Sequence, residues 1–461
     1  MIATNVFTTD LKAEDITVEV AQKYLSRHNN DEFRRLEQLE NYYLGKHPIL
    51  DRTKTKGLSN RRLVTNHAKY IADFTNAYMV GEPVTYSAEF NIEPITEVLR
   101  KSEADVQDSD LALDLAKFGR AYEIVYMSGE EAPKLKLAKM SPKAAFVVYD
   151  DTVEQEPVFG MYFHQYTNSN NDTMYSCCVA TAVKELHFTL DNMYGLVGEV
   201  TEKPHYFGAV PIIEYYNNGD RMGDYEQVTT LIDAYNILQS DRVNDKEQFV
   251  NALLLIKGFT FGDTDKEKLE SYNALREINV MELPAEGADA AYLTRQFDEN
   301  SIETLKKSIE DDIYRISCVP NLSDQHFSGN VSGQAMKYKI LALENLTKVK
   351  TRFFAEGLKY RLRCIANILR AQGAAAIDTS DINISFKRSL PANETELAQV
   401  VATLQGLVPL KDLLALLPFV PDPEKAAAEI EDEKSKEVER QQQLMMNTPI
   451  IDGATDTDDE E

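Results

Sequence analysis

Long apolar runs are missing from this 461-residue chain. None comes near the roughly 18 consecutive apolar residues that a membrane span needs. The first ten residues also lack a basic stretch followed by an apolar one, so no signal peptide is visible. The expectation is a protein made in the cytosol and kept there, or in something assembled there, with no membrane partner. Cysteine is scarce: Cys177, Cys178, Cys318 and Cys364 are the four, two of them adjacent, and none stands in a C-x-x-C or Cys/His zinc pattern. That excludes a disulfide framework and leaves four reduced thiols, expected to be buried. Basic residues are the minority, 49 against 75 acidic ones, for a net charge of −26. Such a chain does not clamp phosphates over its whole surface, although it can let DNA slide past.

Catalytic signatures are absent too. No G-x-x-x-x-G-K-S/T cradles a nucleotide phosphate; Gly45-Lys46 has neither the upstream glycine at the right spacing nor the following Ser or Thr. There is no H-E-x-x-H, and in Gly329-Asn-Val-Ser-Gly333 the serine stands one place too late for a nucleophile elbow. Seven histidines are scattered without i, i+4 pairs or a nearby cysteine, which predicts structural or exposed roles rather than metal ligation. Asp452, Asp456 and Asp458 in the tail lack the terminal Glu of an EF-hand loop, so a solvated tail is the expectation. No metal, no cofactor and no enzymatic activity are expected.

What is present reads as an α+β chain. Residues 31–44 pattern as a helix with Phe33, Leu36, Leu39 and Tyr43 on one face, ended at Gly45. Residues 46–62 carry six bases against Asp51 alone: a solvated loop, or a contact with phosphate or an acidic partner. Asn66 is placed to cap a helix over 67–80, a strand follows at 84–87, and helices are expected over 92–102 and 108–118, the second closing at Gly119. The period then falls from 3.6 to 2. Short Val-, Tyr-, Phe- and Thr-rich runs over 121–216 predict an antiparallel sheet domain. Helix returns over 224–256 with a polar middle at 239–246, which suits a helix with one end in a core and the other facing a partner or water. Residues 259–297 form a mixed insertion, with a helix at 266–275, a strand at 278–283 and strand-like 291–294. A helix over 299–317 follows, with Ile302, Leu305, Ile309, Ile313 and Ile316 at spacings of three and four and six acids around it.

Residues 321–333 are rich in Gly, Ser, Asn and Asp and should be mobile. They feed an uninterrupted helical pattern over 334–370, about 55 Å at 1.5 Å per residue, with a bend expected at Gly357. Ser328 or Ser332 could cap it, either as a plain cap or leaving free N–H groups as an anion site. This helix carries nine bases against Glu344 and Glu356, a local +7 in a chain of −26. Charge of that sign needs an acidic partner within the chain, on a neighbouring copy or on nucleic acid. Lys348, Lys350 and Arg352 are expected to meet acids such as Glu303 or Asp311 on a neighbouring copy. A strand at 382–387 and a helix over 393–417, broken near 406–409, follow. Residues 423–444 suit an exposed helix, and 452–461 should be disordered.

Several segments together resemble the portal proteins of tailed double-stranded DNA bacteriophages, in the siphophage-type branch. They are Pro211-Ile-Ile-Glu-Tyr-Tyr-Asn-Asn218, Leu231-Ile-Asp-Ala-Tyr-Asn236, Ser240-Asp-Arg-Val-Asn-Asp245, Ser332-Gly-Gln-Ala-Met-Lys-Tyr-Lys-Ile340, and Asn41-Tyr-Tyr-Leu-Gly45 with Asn66-His67 downstream. The likeness runs over about 31–388 in the same order and is weakest beyond. It implies a ring, usually of twelve subunits, at one capsid vertex, through which double-stranded DNA enters and leaves. It also implies a portal fold: an α/β wing (1–223, continued by the long wing helix and strand at 334–390), a two-helix stem (224–258 and 298–320), a small α/β clip (259–297), a tunnel loop (321–333), a helical crown (391–440) and an acidic tail (441–461). By that placement Gln325, His326, Phe327, Ser328, Gly329, Asn330, Ser332 and Gly333 belong to the loop lining the DNA channel. The implied partners are the terminase large subunit, a head-completion adaptor, and the major capsid and scaffolding proteins, with assembly in the host cytoplasm. The competing readings are a cytosolic scaffold or adaptor without a channel, and a DNA-packaging enzyme subunit, which the missing nucleotide loop disfavours.

Overall fold

The computed structural model describes residues 6–55, 59–129, 133–250, 253–257, 262–278, 289–293, 299–321, 340–388, 394–417, 420 and 423–446. It divides into two compact units, 1–329 with 338–389 and 330–337 with 390–461. No helix among the described residues is long and apolar enough to cross a membrane.

Residues 121–216 supply strands to two sheets where one antiparallel sheet was expected. Six strands run in the order β1 (Phe7–Thr9), β5 (Ala145–Asp150), β6 (Pro157–Thr167), β7 (Thr173–Ala180), β8 (Lys184–Leu190), β9 (Leu196–Pro204). All neighbours are antiparallel except β1, which lies parallel to β5. A second sheet has the order β10 (Ile212–Tyr216), β3 (Arg120–Ser128), β4 (Lys134–Met140). Neither β1 nor β9 was expected: β1 is only three residues long, and every residue of β9 is exposed, so neither carries the half-buried alternation that marks a strand in sequence.

Alternation in β3 and β10 decides what each sheet touches. Tyr122 and Ile212 share a core with the six-stranded sheet, in which Phe146, Phe159, Val179 and Phe188 are buried under Ala21, Tyr24 and Leu25 of α1 (Val18–Arg27). Ala121, Val125, Ile213 and Tyr215 face a helical layer instead. That layer contains α4 (Glu93–Lys101), α5 (Ala104–Phe118) and the basic helix, α9 (Leu341–Ala371). The edge of this layer carries β2 (Thr85–Ser87) paired with β13 (Asn383–Ser385). A third core joins α2 (Phe33–Tyr43), α3 (His67–Val80), α6 (Thr229–Val250) and α8 (Glu299–Ser317) through Leu36, Ile71, Ile232 and Ile313.

Helix boundaries differ from expectation in instructive places. The helix expected from 31 begins earlier, as α1, and continues through a π-helical turn at His28–Glu32 into α2. Polar residues 28–32 hide that continuity in the sequence. α5 starts at Ala104, ahead of the expected 108, and ends at Gly119 in a left-handed conformation (φ 78°), where a Cβ would come within 2.0 Å of the Arg221 carbonyl oxygen. α6 stops at Val250, and Leu253–Lys257 is a strand, β11. α7 (Asp265–Ile278) takes Ile278 into helix, and the rest of the strand expected at 278–283 lies outside the described residues. α9 runs unbroken through Gly357, which admits the Tyr215 ring, 2.4 Å from where a Cβ would stand. In the second unit, α10 (Glu394–Leu404) and α11 (Leu410–Leu414) show the expected break, followed by α12 (Pro423–Met446).

The buried stripe of α9 is not purely apolar. Leu343, Thr347, Lys350, Phe354, Gly357, Arg361, Cys364 and Ile368 follow at steps of three and four, so two of the seven bases of α9 lie on the core side. Arg361 is fully buried, its Nε 2.7 Å and one terminal nitrogen 3.0 Å from the Glu123 carboxylate, and that same nitrogen 2.7 Å from Asp108. Tyr215 Oη donates to Glu123 at 2.7 Å. Burial pushes both carboxyls upward, only partly offset by the guanidinium. Burial also opposes the Arg361 charge, but Asp108 and Glu123 outweigh it and hold the guanidinium protonated. Arg361→Met therefore leaves two buried carboxylates without a cation and is expected to cost about 3–5 kcal/mol in denaturant unfolding. A variant within about 1 kcal/mol of wild type refutes this account.

Candidate functional site

α6 and α8 pair antiparallel. Val228, just before α6, and Ile232 in its first turn share a core with Ile313, near the end of α8, and Val319 just past it, and ten residues beyond Ile232 Arg242 reaches Glu303 at 2.7 Å. Past the far ends of the two helices, β11 pairs antiparallel with β12 (Asp289–Leu293), Leu253 standing opposite Leu293. Beside each other on α6, Asn236, Ser240 and Asn244 are fully buried at i, i+4 and i+8. That is the polar middle of the sequence pattern, and its partner is the extended segment 59–65.

The Asn236 Oδ1 accepts from the Thr65 N–H at 2.8 Å, the Ser240 Oγ from Leu63 at 2.9 Å and the Asn244 Oδ1 from Arg61 at 2.5 Å. Asn244 Nδ2 returns a bond to the Arg61 carbonyl at 3.2 Å. A helix face with three polar side chains thus does what a neighbouring strand does, pairing the backbone of a chain segment laid along it. Asn236 also donates to His47 Nδ1 at 3.0 Å, which leaves the ring proton on Nε2 facing the Tyr42 carbonyl at 3.1 Å. Burial pushes His47 downward, in keeping with a neutral ring. The basic stretch over 46–62 has acidic partners within its own chain: Arg52 and Lys54 hold Asp241 at 2.6 and 2.9 Å, and Arg61 holds Glu247 at 2.7 Å. Burial alone would raise Asp241; the two cations outweigh it and keep its carboxyl below the usual range.

The other quoted segments meet nearby. Asn66 caps α3 by accepting from Lys69 N at 3.0 Å and donates to the Tyr43 carbonyl at 2.9 Å. Glu214 holds Arg221 at 2.9 Å and accepts from Tyr149 at 2.8 Å. Asp224 gathers Asn217, Thr75 and Lys350, at 2.8, 2.6 and 2.6 Å, so that α3, α9 and the chain leaving β10 meet on one carboxylate.

Among the residues expected to face a neighbouring copy, Lys350 is buried on Asp224 of its own chain. Glu303 takes Arg242 and Lys306, and Lys348 lies 3.4 Å from Glu344 one turn back. Arg352 and Asp311 are exposed. The expected loop residues Gln325, His326, Phe327, Ser328, Gly329, Asn330, Ser332 and Gly333 lie outside the described residues. Cys177, Cys178 and Cys364 are buried, and Cys318 is half-buried.

Residues 22–440 match the family described as phage portal protein, SPP1 Gp6-like. The chain belongs to this family. It is 24% identical to the portal protein of Bacillus phage SPP1 over 418 residues, 86% of this chain and 80% of that protein. It is 22% identical to the portal protein of Clostridium phage phiCD119 over 427 residues, 84% and 90% of the two chains. As a phage portal, the chain holds its helix pair α6–α8 to the body of the first unit partly through the 59–65 segment. Asn236→Leu removes the acceptor of Thr65 and the partner of His47, with an expected loss of about 1–3 kcal/mol. Trypsin should then cut faster after Arg61 and Arg62, and unchanged cleavage with unchanged stability tells against the pairing.

Proposed function

We propose that this portal chain assembles into a ring, of twelve copies by family habit, whose bore carries double-stranded DNA at one capsid vertex during packaging and ejection. In this reading 1–223 and 334–390 form the wing, 224–258 and 298–320 the stem, 259–297 the clip, 321–333 the tunnel loop and 391–440 the crown, with 441–461 an acidic tail. The observation that carries it is the antiparallel pair α6–α8, whose far ends lead into the antiparallel β11–β12 pair and α7: a stem ending in a clip. Ile237, Leu305 and Ile316 remain 44–53% exposed on these two helices in the single chain. Neighbouring stems packed around a ring cover such positions. The net charge of −26 suits a bore that must not grip DNA, because each phosphate neutralised adds counterion-release affinity and slows sliding.

The role is structural rather than enzymatic. The clip docks the terminase large subunit and later the head-completion adaptor, and the wing meets the major capsid and scaffolding proteins as the head assembles in the host cytoplasm. Between copies, the exposed Arg352 and Lys348 of α9 meet acids such as Asp311 of the next subunit; Lys350 and Glu303, which already have partners in their own chain, contribute less.

Electron microscopy of the purified full chain is expected to show rings with a central hole. Solid or monomeric particles at all concentrations overturn the reading in favour of a scaffold or adaptor. Shortening 325–331 should leave rings intact and lower the DNA content of filled heads, and normal filling removes the loop from the channel. Arg352→Glu should weaken ring assembly most at low salt, where charge pairs at a surface are least screened. Assembly that keeps its yield and its salt dependence in that variant excludes the electrostatic contact.

A further inference from the structure

We propose that Cys178, Glu185 and His187 form a binding site for a divalent transition metal of the zinc class, independent of the portal reading. The register of the six-stranded sheet makes the site. Cys178 on β7 stands directly opposite His187 on β8, and Glu185 is two residues before His187, so all three share one face. Leu186, Phe188 and Leu190 point the other way, into the core under α1. One ligand atom from each of the three lies within 4.8 Å of the others. The Cys178 sulfur is 3.9 Å and a Glu185 carboxylate oxygen 3.0 Å from the His187 Nε2. A tetrahedral zinc with its usual bond lengths sets sulfur–nitrogen and nitrogen–oxygen edges of about 3.5 and 3.3 Å, so these two distances lie within a few tenths of an ångström of what it needs.

The surroundings favour a metal over chance proximity. Cys178 is buried, and Glu185 and His187 are half-buried. Glu185 and His187 form part of the wall of a cavity of about 780 Å³, together with Tyr162, Lys203 and Tyr206. The cavity supplies room for a water at the fourth position. His205, also in the wall, is already engaged through both ring nitrogens, with the Thr181 carbonyl at 2.9 Å and the Phe207 N–H at 3.3 Å. The set is therefore one sulfur, one imidazole nitrogen and one carboxylate oxygen. A thiolate in the set selects against magnesium and calcium. On binding, Cys178 enters as the thiolate and its proton leaves to solvent, the His187 ring proton moves from Nε2 to Nδ1, and the metal takes the place of the Glu185–His187 hydrogen bond and pins β7 to β8.

Chelator-treated full-length protein titrated with cobalt(II) alone is the test. The expected result is a saturable thiolate-to-cobalt charge-transfer band at one metal per chain, bleached by zinc. Cys178→Ser should abolish the band, and His187→Ala should weaken cobalt binding by more than the roughly 10–100-fold that loss of an outer-sphere partner costs. No band at excess cobalt overturns the proposal, and so does a band that survives in Cys178→Ser, which assigns the metal to another thiol such as the half-buried Cys318. Should Cys178→Ser fail to fold by circular dichroism, Glu185→Gln and His187→Ala decide: weaker binding in both supports the site, and wild-type affinity in both refutes it.

Discussion

The buried guanidinium of Arg361 is the constraint around which the first unit closes. One cation from α9 satisfies carboxylates from α5 and from the helix-facing side of β3, while Tyr215 of β10 completes the Glu123 shell. Buried ion pairs of this kind are poor sources of net stability, since desolvation takes back most of the Coulomb attraction. Their value lies in what they forbid. A shift of α9 by one residue, or of β3 by one register step, leaves a charge alone in a dry core. Gly357, one turn earlier on the same helix face, adds a steric condition by admitting the Tyr215 ring. Charge and shape together fix the helix on the sheet.

A second theme is that charges which look destined for solvent or a partner are consumed inside the chain. Arg52, Lys54 and Arg61 of the basic stretch meet Asp241 and Glu247 of α6. Lys350 meets Asp224. The seven bases of α9 thereby divide into buried ones that organise the core, Lys350 and Arg361, and exposed ones such as Arg352. Within a protein of −26, intrachain acids are close at hand, and a short buried pair outcompetes a screened contact with a distant partner.

The same economy holds for polar groups. Asn236, Ser240 and Asn244 would be a liability in a helix core, yet each is satisfied by the backbone of 59–65. The helix pair α6–α8 is thus tied to the chain's N-terminal part by directional bonds rather than by apolar packing alone. Directional ties fix orientation where an oily contact could slide.

Much of this was legible in the sequence. The long helix at 299–317, the body of the long basic helix expected over 334–370 and described over 341–371, the cap at Asn66, the stop at Gly119 and the broken helix near the C-terminus followed from period and turn chemistry, and the family from the likeness of several segments in order. Local signals are enough for these, because spacing and φ preferences act within a few residues. The exposed strand β9, the short parallel β1, the split into two sheets and the end of α6 at Val250 were not legible, since pairing with a distant strand decides them. Nor could the sequence say that Arg361 and Lys350 are buried while Arg352 is not, or that Cys178 faces Glu185 and His187. Composition and spacing determined that this is an acidic, mixed α and β chain without a catalytic motif, and the likeness of its segments to portal proteins pointed to the family; tertiary structure alone decided which charges are partners, because partnership depends on which residues share a face, and a face is made only when sheets and helices close on one another.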